Sequence, residues 1–107
     1  MITMDINGFE WKVQFVEENH EALVNETGEP AAFGITLLQK GEIYIESDLP
    51  KGLAEKIVTH EVVHAIAFSY GIDLDLVDEE KICDFIGTYF NVIQYWRSVI
   101  LGNFNSR

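Results

Sequence analysis

The hydrophobic pattern of this chain changes period near residue 50, and that change restricts the fold more than any other feature. Before it, apolar residues alternate. Phe9, Trp11, Val13 and Phe15 are separated by Glu10, Lys12 and Gln14, the period of two of a strand with one buried face. Ile2, Met4 and Ile6 form a matching arm, and Asn7-Gly8 between the arms supplies the left-handed backbone of a tight hairpin. A second hairpin is expected with Phe33, Ile35 and Leu37 on one arm, Ile43 and Ile45 on the other, and Lys40-Gly41 at the turn. Residues 17–30 are polar and broken by Asn25, Gly28 and Pro30, which predicts a loop with one short helix around 21–24.

After residue 50 the spacing becomes helical. Ser47 or Asp48 is placed to cap a helix, with Pro50 in its first turn. Leu53, Ile57, Val58, Val62, Ala65, Ile66 and Phe68 then recur at helical spacing, and Gly71 is a suitable stop. Ile82, Phe85, Ile86, Tyr89, Ile93, Trp96 and Ile100 mark a second helix from about Asp78 to Leu101, joined to the first by residues 72–77 and followed by a frayed polar tail over 102–107. Strands first and helices after predict an α+β fold. We expect one domain spanning residues 1–107, with a small antiparallel sheet of about four strands packed by both helices.

The first helix carries His60-Glu61-Val62-Val63-His64, an H-E-x-x-H motif. Residues four apart stack on one helical face, so two imidazoles can each aim a nitrogen at one ion. Glu61 then stands beside the ion, where a carboxylate can take a proton from a metal-bound water. Catalytic zinc usually takes three protein ligands and keeps one position open. His20 lies far upstream in the loop and reads as a surface residue, so the third ligand is expected to be a carboxylate of the second helix. Glu80 is the choice and Glu79 its rival. Asp84 falls among the apolar residues of that helix, and a carboxylate there needs a partner. Four residues after Glu80, it is placed to accept the N–H of a metal-bound imidazole and so orient the ring. Gly87 lies inside the same helix, where it costs about 1 kcal/mol relative to alanine; close approach of the two helices would account for it. Cys83, one residue from Asp84, is turned away from this site and reads as a small packing residue.

His60-Glu61-x-x-His64 followed by Glu80-x-x-x-Asp84 resembles the gluzincins, the zincin metallopeptidases of thermolysin type whose third ligand is glutamate. Residues 33–95 also resemble small phage and prophage metallopeptidase-like proteins distantly related to the ImmA/IrrE type. The resemblance implies a minimal zincin-like fold and Zn²⁺ held by His60, His64 and Glu80. It implies Glu61 as general base and Asp84 behind the metal. Unlike thermolysin, the chain has no second lobe and no obvious downstream histidine to stabilise the transition state. Tyr44, Tyr70 and Tyr89 are candidates for that role by residue type only.

Charge and composition restrict the partners. Eighteen acidic against 7 basic residues give a formal charge of −11, which opposes binding to nucleic acid. No apolar run is long enough for a membrane span, and no signal peptide is apparent. The single cysteine, Cys83, permits no internal disulfide and suits a reducing cytoplasm. The expected partner is a peptide or protein substrate. The strand over residues 42–47 is expected to form a sheet edge on which an extended peptide can pair. The expected activity is zinc-dependent peptide hydrolysis. The alternative is a zinc-containing interaction module with little or no turnover.

Overall fold

A computed structural model describes residues 1–74 and 78–104. It contains four strands, β1 (Ile2–Ile6), β2 (Phe9–Val16), β3 (Gly34–Leu37) and β4 (Glu42–Glu46), followed by helices α1 (Lys51–Ser69) and α2 (Glu79–Gly102). The fold is α+β, as the change of period requires. The connection expected over residues 72–77 and the tail expected over 102–107 fall partly outside the described residues.

β1 and β2 form the expected hairpin, with Met4 opposite Trp11 and Ile6 opposite Phe9. Asn7 and Gly8 make the turn with φ of 52° and 84°, the left-handed conformation that Asn and Gly adopt most readily. β3 and β4 form the second hairpin. The sheet order is β1-β2-β4-β3. β2 and β4 run parallel, Val13 beside Ile43 and Phe15 beside Ile45. The sheet is therefore mixed, where an antiparallel one was expected. Local turn chemistry fixes each hairpin, but the way two hairpins meet depends on where the intervening loop carries the chain. That loop contains turns and a Val24–Pro30 bridge, and no helix over 21–24.

The order also moves the sheet edge. β4 lies inside the sheet, and the edge on that side is β3. Facing residues of an antiparallel pair lie on one face of the sheet. Thr36 faces Ile43 and Gly34 faces Ile45, both of which are fully buried, so Gly34 and Thr36 point toward the helices. Ile35 and Leu37 point the other way. The apolar alternation of β3 thus belongs to the outer face, opposite to the expected phase.

The main core lies between the sheet and α1. Met4, Ile6, Trp11, Val13, Ile43 and Ile45 meet Ala54, Val58, Val62, Ala65 and Ile66 there. The N-cap of α1 is Pro50, with no side-chain cap, so neither Ser47 nor Asp48 has the expected role. Gly71, at φ 72°, ends the helix: its N–H bonds to Phe68 O, and the Ile72 N–H reaches back to Ala67 O. Buried Ser69 joins this end to the first hairpin. Its hydroxyl accepts from Trp11 Nε1 at 2.8 Å, and its carbonyl accepts from Asn7 Nδ2 at 2.9 Å. Asp78 caps α2 by accepting from the Lys81 N–H at 2.9 Å.

α2 packs on α1 through a narrow stripe. Only Phe85, Ile93 and Ile100 are buried, with Tyr89 and Trp96 partly so. Ile82 and Ile86, expected in the buried stripe, are exposed. Gly87 is exposed too, and a Cβ built there meets nothing within 4 Å. Close helix approach therefore does not account for that glycine.

Candidate metal and catalytic site

α1 presents the H-E-x-x-H motif as two faces. Successive residues turn by 100°, so His60 and His64 share one face while Glu61 points to another. The two Nε2 atoms stand 3.2 Å apart. Two ligands 2.0–2.1 Å from a tetrahedral ion lie about 3.3–3.4 Å apart, so the pair has the spacing of two arms of a zinc site. The same distance suits one neutral ring donating to the other, and the tautomer decides the donor. His60 is exposed and His64 half-buried, which leaves the space beyond them open.

Glu61 turns under the edge strand and is 5% exposed. Its Oε1 accepts from Thr36 Oγ1 at 2.8 Å. A Cβ built on Gly34 would lie 3.4 Å from Oε2 and 3.3 Å from Cγ. The carboxylate thus lies across the inward face of β3, hydrogen-bonded at one residue and admitted by the missing side chain at the other. Gly34 and Thr36 were not singled out from sequence. Their signal is the small residues alternating with apolar ones on β3, which reads correctly only once the strand's facing is known.

A cleft of about 310 Å³ separates β3 from α1, bounded by the Gly34–Thr36 stretch, Leu38, His60, Glu61 and His64. Leu38 and His64 also border a second, open pocket of about 440 Å³, lined further by Ala67, Phe68, Gly71, Ile72, Asp73 and Leu74. The two form one groove along the β3 side of α1. Its first part is polar at the histidine pair, and its second has mostly apolar walls.

The carboxylates of α2 do not join this site. Among the described residues, no group of three or more His, Cys, Asp and Glu is placed to hold a metal ion. Glu79, Glu80 and Asp84 are all exposed. Asp84 is therefore not a core-side carboxylate in need of a partner, which was the premise of its expected role. Two contacts explain the separation. Tyr70 packs on Tyr89 with ring centroids 4.6 Å apart, and Arg97 Nε donates to Thr59 Oγ1 at 2.8 Å, so the helices run in opposite directions. At 1.5 Å per residue, His64 lies about 9 Å back from Tyr70 and Glu80 about 13 Å beyond Tyr89. Glu80 is thus roughly 20 Å from His64 along the helix pair. The start of α2 overhangs the end of α1.

The remaining expected residues lie elsewhere. Tyr44 faces away from α1, since its partner across the hairpin is Ile35. Its hydroxyl donates to Glu42 Oε1 at 3.2 Å, and half-buried His20 stacks on its ring at 5.0 Å. Burial pushes the Tyr44 phenol above its ordinary value, with the Glu42 charge, the bond to Glu42 and the Glu21 charge adding to the rise. Tyr70 and Tyr89 pack on each other. Cys83 is exposed rather than packed.

The chain matches no family model, no curated protein and no solved structure.

Proposed function

We propose that the chain is a small zinc-dependent metallopeptidase of gluzincin type. The observation that carries this reading is the pair of Nε2 atoms 3.2 Å apart beside a buried, hydrogen-bonded Glu61 on a groove at a sheet edge. His60 and His64 hold the metal. Glu80 is the third ligand on the strength of its sequence position alone, because the structure does not bring it to the pair. Zinc supplies Lewis acidity and a water of lowered pKa when bound. Glu61 accepts a proton from the attacking water and returns it to the leaving amine. Thr36 holds Glu61 in place for both transfers. The free edge of β3 pairs with an extended peptide and lays it along the groove. A cytoplasmic setting belongs to the same reading. Among the described residues, no helix is long and apolar enough to cross a membrane.

The test measures zinc binding and peptide cleavage separately. Glu61→Gln is expected to keep zinc and lose cleavage across a peptide library. His60→Ala and His64→Ala are expected to lose both. Glu80→Ala is expected to weaken zinc by about 10–100-fold if it is a ligand, and to leave affinity unchanged if its sequence position misleads. Cleavage that persists in Glu61→Gln would reject the general-base role.

The absence of a third ligand among the described residues favours a second reading. In it the same histidine pair binds zinc without turnover and the protein acts as an interaction module. Stoichiometric zinc with no Glu61-dependent cleavage distinguishes it from the first.

A further inference from the structure

The turn of the first hairpin holds a reactive dipeptide in a restrained form. Asn7 is the one asparagine of the chain that precedes a glycine. The Gly8 nitrogen has no side chain beside it to block an approach, and it can attack Cγ of the Asn7 side chain. A bond forms between Gly8 N and Asn7 Cγ, and the bond from Cγ to Nδ2 breaks. Nδ2 leaves as ammonia, carrying the proton from Gly8 N. Water then opens the cyclic imide at either carbonyl and leaves aspartate or isoaspartate at position 7.

The structure opposes this reaction at both reacting groups. Asn7 Nδ2 donates to the Ser69 carbonyl at 2.9 Å. A carbonyl only accepts, so the amide must present its nitrogen there, and the leaving group is tied to the end of α1. The Gly8 N–H donates to Asp5 Oδ1 at 3.1 Å. Gly8 N has to give up that proton to attack, and a carboxylate beside it disfavours the resulting anion. The backbone adds a third restraint. Ring closure needs Cβ to eclipse Gly8 N about the Cα–C bond. Asn7, at φ 52° between the paired Ile6 and Phe9, is in the left-handed conformation, which holds Cβ on the far side.

We infer that Asn7 is a deamidation site gated by the clasp between the first hairpin and α1. Closed, the clasp withholds both reacting groups. When the turn opens they are released, and the reaction then prevents the clasp from re-forming. An aspartate has no N–H to give, so its carboxylate meets the Ser69 carbonyl as acceptor against acceptor. Isoaspartate routes the main chain through the former side chain and adds a carbon to a tight turn. Ammonia is lost to solvent, so the change runs one way. It acts on the end of α1, where Phe68, Gly71 and Ile72 line the pocket beside His64. The inference is independent of the peptidase reading, because it uses neither the histidine pair nor Glu61.

The experiment incubates the full chain, folded and in urea, at mildly alkaline pH and follows position 7 by peptide mass mapping with isoaspartate detection. In urea, Asn7 is expected to convert to a mixture of isoaspartate and aspartate. In the folded protein the conversion is expected to be at least about tenfold slower, as for a group that reacts only from a locally opened state. Asp5→Ala alters an exposed residue and is expected to fold and to convert faster than wild type. Asn7→Asp is expected to speed amide exchange at Tyr70, Gly71 and Ile72, whose N–H groups bond back to residues 66–68. Conversion as fast in the folded chain as in the unfolded one overturns the inference. So does a folded Asp5→Ala protein that converts at the wild-type rate, and so does wild-type exchange in Asn7→Asp. Comparing folded with unfolded wild type needs no variant, so the test stands even where a variant fails to fold.

Discussion

A carboxylate taken out of water is tolerated only where a donor meets it, and the donor for Glu61 is the hydroxyl of Thr36. Thr36→Val keeps the shape and removes that donor. It is expected to cost about 1–3 kcal/mol of stability by leaving a buried oxygen unpaired. If Glu61 is the base, kcat falls with KM and zinc affinity held, and Thr36→Ser restores it. Gly34 is constrained from the same side. An alanine Cβ there would stand 2.6 Å from Ile57 Cγ2. Gly34→Ala is expected to destabilise by about 1–3 kcal/mol through overpacking. Ile57→Ala removes the clashing atom, so the double variant is expected to lose less than the sum of the single ones. Urea titration of the four proteins measures that coupling. Tyr44 makes an alkaline prediction. Its folded-state pKa is raised, so the native protein holds that proton more tightly than the unfolded chain. Stability attributable to it is expected to stay level below the ordinary tyrosine value of about 10 and to fall as pH rises above it. Thermal melts of wild type and Tyr44→Phe between neutral and alkaline pH read the difference.

At the scale of elements, the two helices differ in how they are held. α1 is buried along its length between sheet and α2, so the histidines stand on a rigid support. Its C-terminal end is tied to the first hairpin by Trp11 and Asn7 through Ser69. The start of α2 is held by its cap and by Phe85, while residues 79–84 are all exposed. Removing the cap should therefore act locally. Asp78→Ala is expected to cost about 0.5–2 kcal/mol of helix stability. The loss is expected in faster amide exchange over residues 79–84, with little change in Tm, because those residues contribute little to the global transition. A large fall in Tm would mean that the overhang is part of the cooperative core.

For the whole molecule, zinc binding at the histidine pair would be linked to folding. A metal that binds only the folded state stabilises it by RT ln(1 + [L]/Kd), about 2.7 kcal/mol at a hundredfold excess over Kd. In a domain of this size that corresponds to roughly 10–20 °C in Tm. Zinc is expected to raise Tm by that order, a chelator to reverse it, and His60→Ala to abolish it. Calorimetry with and without zinc settles the point, and an unchanged Tm at saturating zinc would count against a site at the pair. The pocket at the histidine pair adjoins, through Leu38 and His64, the mostly apolar one lined by Phe68 and Ile72.

Short-range physics made most of the elements legible. Alternation set the first hairpin, Asn7-Gly8 its turn, Gly71 the end of α1, and Asp78 the start of α2, because each depends on a few adjacent residues. Spacing on one helix brought His60 and His64 together for the same reason. Tertiary structure decided what spans elements. It placed β4 beside β2 in parallel and β3 at the edge. It turned Gly34 and Thr36 inward against the apolar alternation, and it slid α2 until Glu80 and Asp84 passed the end of α1. A helical period fixes which residues share a face, but only the partner surface decides which face is covered and at what height two helices meet. That is why the histidine pair could be read from the chain, and why the height at which α2 meets α1 and the support under Glu61 could not.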